Sequence, residues 1–341
     1  MRLALRGANP LEWLALRSGL VPVPAAEAWG GMATSGVLVA AVRSGVTARL
    51  AQGPATADEI AAGLGLAPVP TRLLLDCLRS SGHVTIRSGG YALTRAARRW
   101  LDPASKLSIA NFVAATGDYL PWWQSLEDVT RTGEPVNHHD APPGDPYWRR
   151  YILGQLDLAR LSAPEIARRL RIPPGARTVL DLGGGHGHYS AELCRRHPGL
   201  QATVLDLPGS TAIGRELTPQ VEFRDGDVRT AELGKNVDAV LCFNLIHHLG
   251  PDEIVALFAR VHEALAPGGT FAILDAFADP KPRKSAAANY LGMFMYLTSG
   301  SQVHTPGQLH EWLRGAGFPA PRRVPVLRIP GLALYQAGMT G

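Results

Sequence analysis

Residues 178–188 read Thr178-Val-Leu-Asp-Leu-Gly-Gly-Gly-His-Gly-His188, an apolar run that ends near a carboxylate and passes into a glycine cluster. A short apolar run before such a cluster is the pattern of a buried strand handing over to a helix around a bound nucleotide. Gly183, Gly184, Gly185 and Gly187 supply backbone without Cβ atoms, so the chain can turn tightly while a ligand lies against it. By itself the turn leaves open a dinucleotide, another adenosyl ligand, or a packing turn with no ligand at all.

The chain downstream narrows this. Tyr189 to Arg196 suits a helix, and Gln201-Ala-Thr-Val-Leu-Asp206 is a second apolar strand whose carboxylate falls about twenty residues past the glycines, where ribose hydroxyls are gripped. Val221-Glu-Phe-Arg-Asp-Gly-Asp227 gives a third short strand ending in an acidic turn, and Val237-Asp-Ala-Val-Leu-Cys-Phe243 a fourth. Asp227 can accept a hydrogen bond from an adenine amino group. In one doubly wound α/β sheet these strand ends share the carboxyl edge, where ligands bind. A dinucleotide and an adenosyl sulfonium remain rivals at this point.

The succession Asp-Leu-Gly-Gly-Gly, Leu205-Asp-Leu-Pro208, Gly226-Asp227, Ile246-His247 and Leu265-Ala-Pro-Gly-Gly269 resembles the S-adenosylmethionine-dependent small-molecule O-methyltransferases of plant and bacterial natural-product pathways. The resemblance covers nearly the whole chain. It implies a C-terminal Rossmann-like class I methyltransferase domain behind an N-terminal, mainly helical winged-helix dimerisation domain. It places S-adenosylmethionine against Asp181, Gly183, Gly185, Asp206, Leu207, Asp227, Val228, Phe243 and Asn244. A nucleotide-dependent oxidoreductase is the other reading of the glycine turn.

Composition agrees with two cores: 341 residues, 46% of them hydrophobic, are enough for about two domains. Cys77, Cys194 and Cys242 are widely spaced, which argues against a disulfide framework or a cysteine-built zinc site and for a cytoplasmic location. The start, Met1-Arg-Leu-Ala-Leu-Arg, has no leader pattern, and no uninterrupted apolar stretch suggests a membrane span. The net charge of +5 is modest for this length.

Three segments are expected: 1–103, 104–170 and 171–341. In the first, Thr56 with Glu59 three residues on forms a capping box that opens a short helix. A second helix over Thr71 to Ser81 carries Leu73, Leu74, Cys77 and Leu78 on one face, and two alternating strands flank Ser88-Gly89-Gly90 as a hairpin. Helix, turn, helix and hairpin make a winged helix. Arg72, Arg79 and Arg87 leave a DNA-binding regulator as one reading. The scarcity of other basic or amide residues on the second helix favours packing, and the resemblance implies homodimerisation through this unit. Ala33 to Ala51, an Ala/Val/Leu helix punctuated by Gly36 and Gly45, is expected at the same interface.

The second segment has aromatic-rich Asn111 to Trp123, a Pro/His/Asp loop over Pro135 to Pro146, and a helix opening at Tyr147. His138, His139 and Asp140 on that loop read as a solvated turn. The resemblance puts a pocket-lining helix here, making Tyr147, Trp148 and Tyr151 candidates to touch substrate or sulfonium. Tyr290-Leu-Gly-Met-Phe-Met-Tyr-Leu297 is expected to cover the pocket, with Asn289 and Met293 toward the small-molecule substrate.

Methyl transfer to a hydroxyl needs positioning and removal of a proton. His247, just past the fourth strand, matches the general base of the resembled family, and Asp275 the acid that orients it. Of His247 and His248, one is expected to face away. Many family members have Asp-Trp where this chain has His248-Leu249. A further acidic family position is held here by Val303, next to His304. His304 is therefore a substrate candidate. An alternative is a divalent or ferric metal held by His247 and His304 in a C-methyltransferase of an α-keto acid or enol. N-methylation is a further alternative. No nucleic acid or membrane partner is expected.

Overall fold

A computed structural model describes residues 9–19, 21–278, 286–327 and 331–339; the opening residues 1–6 lie outside the described residues. The chain divides into two compact units, Arg2–Leu120 and Pro121–Gly341.

The first unit holds α1 (Pro10–Ser18), α2 (Val23–Arg43), α3 (Val46–Gln52), α4 (Ala57–Leu64), α5 (Pro68–Ser80), the hairpin β1 (Val84–Arg87) and β2 (Gly90–Leu93), α6 (Arg95–Leu101), and most of α7 (Ala110–Gln124). The Thr56 capping box forms as expected, with Glu59 N–H on the threonine oxygen and Thr56 N–H on the glutamate. Ser88 and Gly89 both take positive φ, 48° and 77°, the geometry of a two-residue hairpin turn. The winged helix is thus present. Two details differ from expectation. The helix expected over 33–51 begins at Val23 and is cut at Gly45, whose φ of +80° is incompatible with helix continuation. On α5 the core takes Thr71, Leu75 and Leu78, at spacings of four and three, while Leu73 and Cys77 are exposed. The helix carries two apolar stripes, and contact with Leu50, Ile60 and Leu93 decides which is buried.

Helix α2 buries only Val39 and Ala41, leaving Trp29 73% and Met32 68% exposed. By length and composition it could cross a membrane, despite Glu27 and Arg43. Glu27 interrupts its apolar run, so the expectation that no uninterrupted apolar stretch is that long stands.

The second unit contains α8 (Leu126–Thr132), α9 (Pro146–Arg169), β3 (Thr178–Leu182), α10 (His188–Arg196), β4 (Gln201–Asp206), α11 (Pro208–Leu217), β5 (Glu222–Asp225), β6 (Val237–Phe243), α12 (Pro251–Ala264), β7 (Leu265–Ala276), α13 (Ala286–Ser299), α14 (Pro306–Gly315), β8 (Arg322–Val324) and β9 (Leu332–Gly338). Its strands form one sheet in the order β5-β4-β3-β6-β7-β9-β8. The first five are parallel, and β9 runs antiparallel to both neighbours. Side chains alternate across it: Val240 and Cys242 join a core with Phe258 and Phe271, whereas Ala239, Leu241 and Phe243 join another with Ile166 and Leu193. The chain leaves β3 toward β4 and β5, then returns to β6 on the other side of β3. Ligands of doubly wound sheets bind at the carboxyl ends beside this switch point.

Candidate active site

The glycine turn sits at the carboxyl end of β3. Gly183, Gly185 and Gly187 have φ of +66°, +52° and +66°. A Cβ on Gly184 would lie 2.5 Å from Asp181 Cγ, so that position admits glycine alone. Asp206 ties the turn to the end of β4: Oδ2 accepts from Gly185 N at 2.8 Å and Oδ1 from Leu207 N at 2.7 Å. Burial pushes the Asp206 carboxyl up from its ordinary value, against those two backbone bonds. Asp181 lies beneath the turn, fully buried, where its Oδ2 accepts from Ser190 Oγ at 2.6 Å. Burial raises it to about 7, with the Ser190 bond opposing and the Asp206 charge adding. Its Oδ1 has no hydrogen-bond partner among the described residues.

His186, within the turn, is also buried. Its Nδ1 accepts from His188 N at 3.0 Å, and its carbonyl accepts from Thr218 Oγ1. Burial above all, then the nearby His188 and Arg160 charges, lower it to about 3. A folded value below the unfolded one means that its contribution is present above about 6.5 and is lost as pH falls. Asp181 acts oppositely, because its raised value favours the fold as pH falls. Wild type should therefore show compensated pH dependence. His186→Asn removes one side of the balance, so between pH 7 and pH 5 its unfolding free energy should rise relative to wild type by about 2 kcal/mol. Urea unfolding of both proteins at the two pH values checks this, and parallel curves refute it.

At the third strand end, Asp227 accepts both Arg229 Nε and Nη2, at 2.9 and 2.7 Å on Oδ2, which holds its carboxyl below the usual range. Arg229 also reaches Glu253 at 3.5 Å. Two residues expected at the cofactor pack their side chains into the core. The side chain of Val228 packs in the core with Leu205 and Leu233, and its carbonyl is held by Arg260. Phe243 is likewise in the core, its ring edge-on to Tyr189 at 5.1 Å. Phe243 faces inward because it continues the alternation of β6, whereas Val228 lies in the turn after β5. Asn244, which follows, takes φ of +52° and donates its N–H to Leu274 O. A non-glycine residue in this region stores strain and turns the next segment. Leu207 is half-buried beside the turn.

That next segment, Ile246–His248, is a single 3-10 turn. His247 is buried, and its Nδ1 lies 2.6 Å from Oδ1 of the fully buried Asp275 at the end of β7. Asp275 Oδ1 also accepts from Ala276 N. The carboxylate thus assigns the Nδ1 proton, leaving the lone pair on Nε2. His248 does not face away, contrary to expectation: its Nε2 lies 3.0 Å from His247 Nε2. His139, expected in a solvated turn, packs edge-on to His248 at 4.8 Å and to Tyr151 at 5.3 Å, and stacks on Trp148. The sequence signal for this cluster was only the Pro/His/Asp composition of the loop.

Tyr151 therefore reaches the histidine cluster through His139. Tyr147 and Trp148 are buried; Trp148 donates its indole N–H to Ala141 and Pro142 carbonyls and packs on Gly209, so it braces α9 against α11. Asn289 and Met293 stay on the exposed side of α13, and Met295 and Leu297 take the buried one. Asn289 is also the fourth helical residue rather than the start.

His304, expected toward substrate or a metal, is buried and bonded to backbone. It is 2% exposed, its Nε2 lies 3.2 and 3.3 Å from the Ile246 and Leu249 carbonyls, and its ring sits edge-on to Trp312. Donation to those carbonyls uses Nε2 to hold the 3-10 turn. Among the described residues no cluster of three or more His, Cys, Asp or Glu could hold a metal.

Residues 149–319 match the family described as the O-methyltransferase domain, and residues 26–103 the O-methyltransferase dimerisation domain. The chain belongs to the O-methyltransferase family. The second match assigns the winged helix to dimerisation. A tetracenomycin polyketide synthesis 8-O-methyl transferase from Streptomyces glaucescens is 32% identical, over 83% of this chain and 87% of that one. A 3-hydroxy-5-methyl-1-naphthoate 3-O-methyltransferase from Streptomyces sahachiroi is 28% identical, over 86% and 88%. In fold the chain resembles human N-acetylserotonin methyltransferase, solved with S-adenosylmethionine, at a TM-score of 0.82 and 21% identity, covering 99% and 100%.

The protein is an S-adenosylmethionine-dependent methyltransferase, and its residues fit that group. The positive-φ glycine turn closes the carboxyl end of β3, Asp206 at the end of β4 is the carboxylate that would meet a ribose, and the unpartnered Asp181 Oδ1 beneath the turn is an acceptor.

Proposed function

We propose that this methyltransferase acts on a phenolic hydroxyl of a small fused-ring aromatic acid or polyketide, with His247 as general base. The reading is carried by the Asp275–His247 pair, 2.6 Å apart at the same sheet edge as the glycine turn. The hydroxylated naphthoate and polyketide named for the two Streptomyces relatives support the acceptor class. When bound, S-adenosylmethionine supplies an electrophilic methyl carbon, and its sulfur keeps the electron pair of the bond that breaks. Asp206 would hold the ribose, and Asp227 the adenine amino group once Arg229 shares it. His247 Nε2 takes the acceptor's proton as the oxygen becomes nucleophilic. Asp275 then faces an imidazolium and stabilises it. Tyr151 and His139 supply flat apolar surface beside the base. Homodimerisation would run through the exposed face of α2, where burying Trp29 and Met32 removes apolar area from water.

Calorimetric titration of S-adenosylmethionine should give binding that Asp206→Asn weakens by about 10–100-fold, the cost of a lost charged hydrogen-bonding group. Incubation with hydroxynaphthoic acids should yield a product one methylene heavier, with the methyl on oxygen. Absence of binding overturns the cofactor site; a methyl on carbon or nitrogen overturns the acceptor.

A further inference from the structure

The contact between the two adjacent histidines has a proton count that constrains how an acceptor enters. Asp275 Oδ1 accepts from His247 Nδ1 at 2.6 Å, so the neutral ring keeps its proton there and exposes a single lone pair at Nε2. His248 Nε2 stands 3.0 Å from that nitrogen. Two nitrogens at this distance share one proton, and His247 Nε2 has none to give. His248 therefore carries it on Nε2 and donates.

An imidazole lone pair accepts one hydrogen bond at a time. An acceptor hydroxyl cannot approach His247 Nε2 while His248 occupies it. His247 is only 7% exposed, and a buried acceptor with no donor would cost about 1–3 kcal/mol. The neighbouring ring removes that cost. The surroundings suit a ring that turns aside: His248 is half-buried, whereas His247 is held by Asp275, and its turn by His304 and the Leu249 carbonyl that also accepts from Ser301. His248 also meets the edge of His139, at 4.8 Å and 82°.

We infer that His248 is a positioning residue that stands in for the acceptor hydroxyl, donating Nε2–H to His247 Nε2 until the hydroxyl displaces it. The inference rests on His247 as the base. It makes a distinctive statement about binding: displacing His248 opposes acceptor entry, so removing its donor tightens binding without harming the chemical step.

Nitrogen-15 NMR of the acceptor-free protein should find His247 protonated at Nδ1 and His248 at Nε2; the reverse tautomer on His248 overturns the inference. Calorimetric titration of 2-naphthol, with S-adenosylhomocysteine present, provides the second test. His248→Phe keeps ring bulk without a donor and should raise 2-naphthol affinity about threefold to tenfold. His248→Gln restores a donor and should return it toward wild type. No gain in the Phe variant, including no binding by either protein, overturns the inference, as does a loss. In turnover, His248→Phe should lower the acceptor KM with kcat within about twofold; a fall in kcat at unchanged KM would instead make His248 the proton acceptor. His247→Ala separates the two readings. Undiminished turnover in it removes the base assignment, while the NMR tautomers report on the His248 contact alone.

Discussion

His247→Ala should lower kcat by about 10²–10⁴, the range that positioned general base catalysis supplies, while S-adenosylmethionine affinity stays within about twofold. The separation follows from the geometry. His247 contacts Asp275 and His248, and among the described residues its ring makes no hydrogen bond to the glycine turn or to Asp206. The fold should persist, because the 3-10 turn is pinned by His304 and Ser301 rather than by the imidazole. Asp275→Asn should cause a smaller loss of kcat, since an amide oxygen can still accept from Nδ1–H but no longer balances the charge of an imidazolium. Single-turnover rates with a hydroxynaphthoic acid, beside calorimetric binding of the methyl donor, read both parts. A kcat within threefold of wild type in His247→Ala would refute the base assignment.

The parallel strands and glycine turn were legible because strand ends and special φ angles have local signatures. Each of the strands read around that turn forms within a residue or so of its expected limits. His247 and Asp275 were legible only through resemblance, because nothing local joins positions on β7 and past β6. The His247–His248 contact was not legible, and the reason is physical. At a helix start one of two adjacent histidines is expected to turn away, to cap or to pack. The left-handed Asn244 and the 3-10 turn after it rotate successive side chains by about 120° instead, which leaves both rings on one side. His304 suggested chemistry because it adjoins Val303, which holds a usual acidic position, while the turn offered two carbonyls that needed a donor. The core packing of the Phe243 side chain was legible in the alternation of β6, while that of Val228, in the turn after β5, was not.

Gly214→Ala reverses what local propensity dictates. In a helix interior, alanine is favoured over glycine by about 1 kcal/mol, and Gly214 lies inside α11. Here, however, an added Cβ would stand 2.3 Å from Phe223 Cε1 and 2.5 Å from the carbonyl oxygen of Gly185. Neither neighbour yields easily. The Phe223 ring also closes on Gly187, where a Cβ would lie 2.9 Å from Cζ, and Gly185 is fixed through its N–H to Asp206 Oδ2 at 2.8 Å. Relief must come from moving α11 off the glycine turn, the surface proposed to hold the methyl donor. We expect destabilisation of about 1–3 kcal/mol from overpacking, together with at least about tenfold weaker S-adenosylmethionine binding. Gly63→Ala in α4 is the contrasting case: nothing lies within 4 Å of its Cβ position, so it should stabilise by up to about 1 kcal/mol. Urea unfolding of the two variants, with calorimetric binding, distinguishes packing from propensity, and equal stabilisation by both would show that α11 is free to shift without disturbing the cofactor turn.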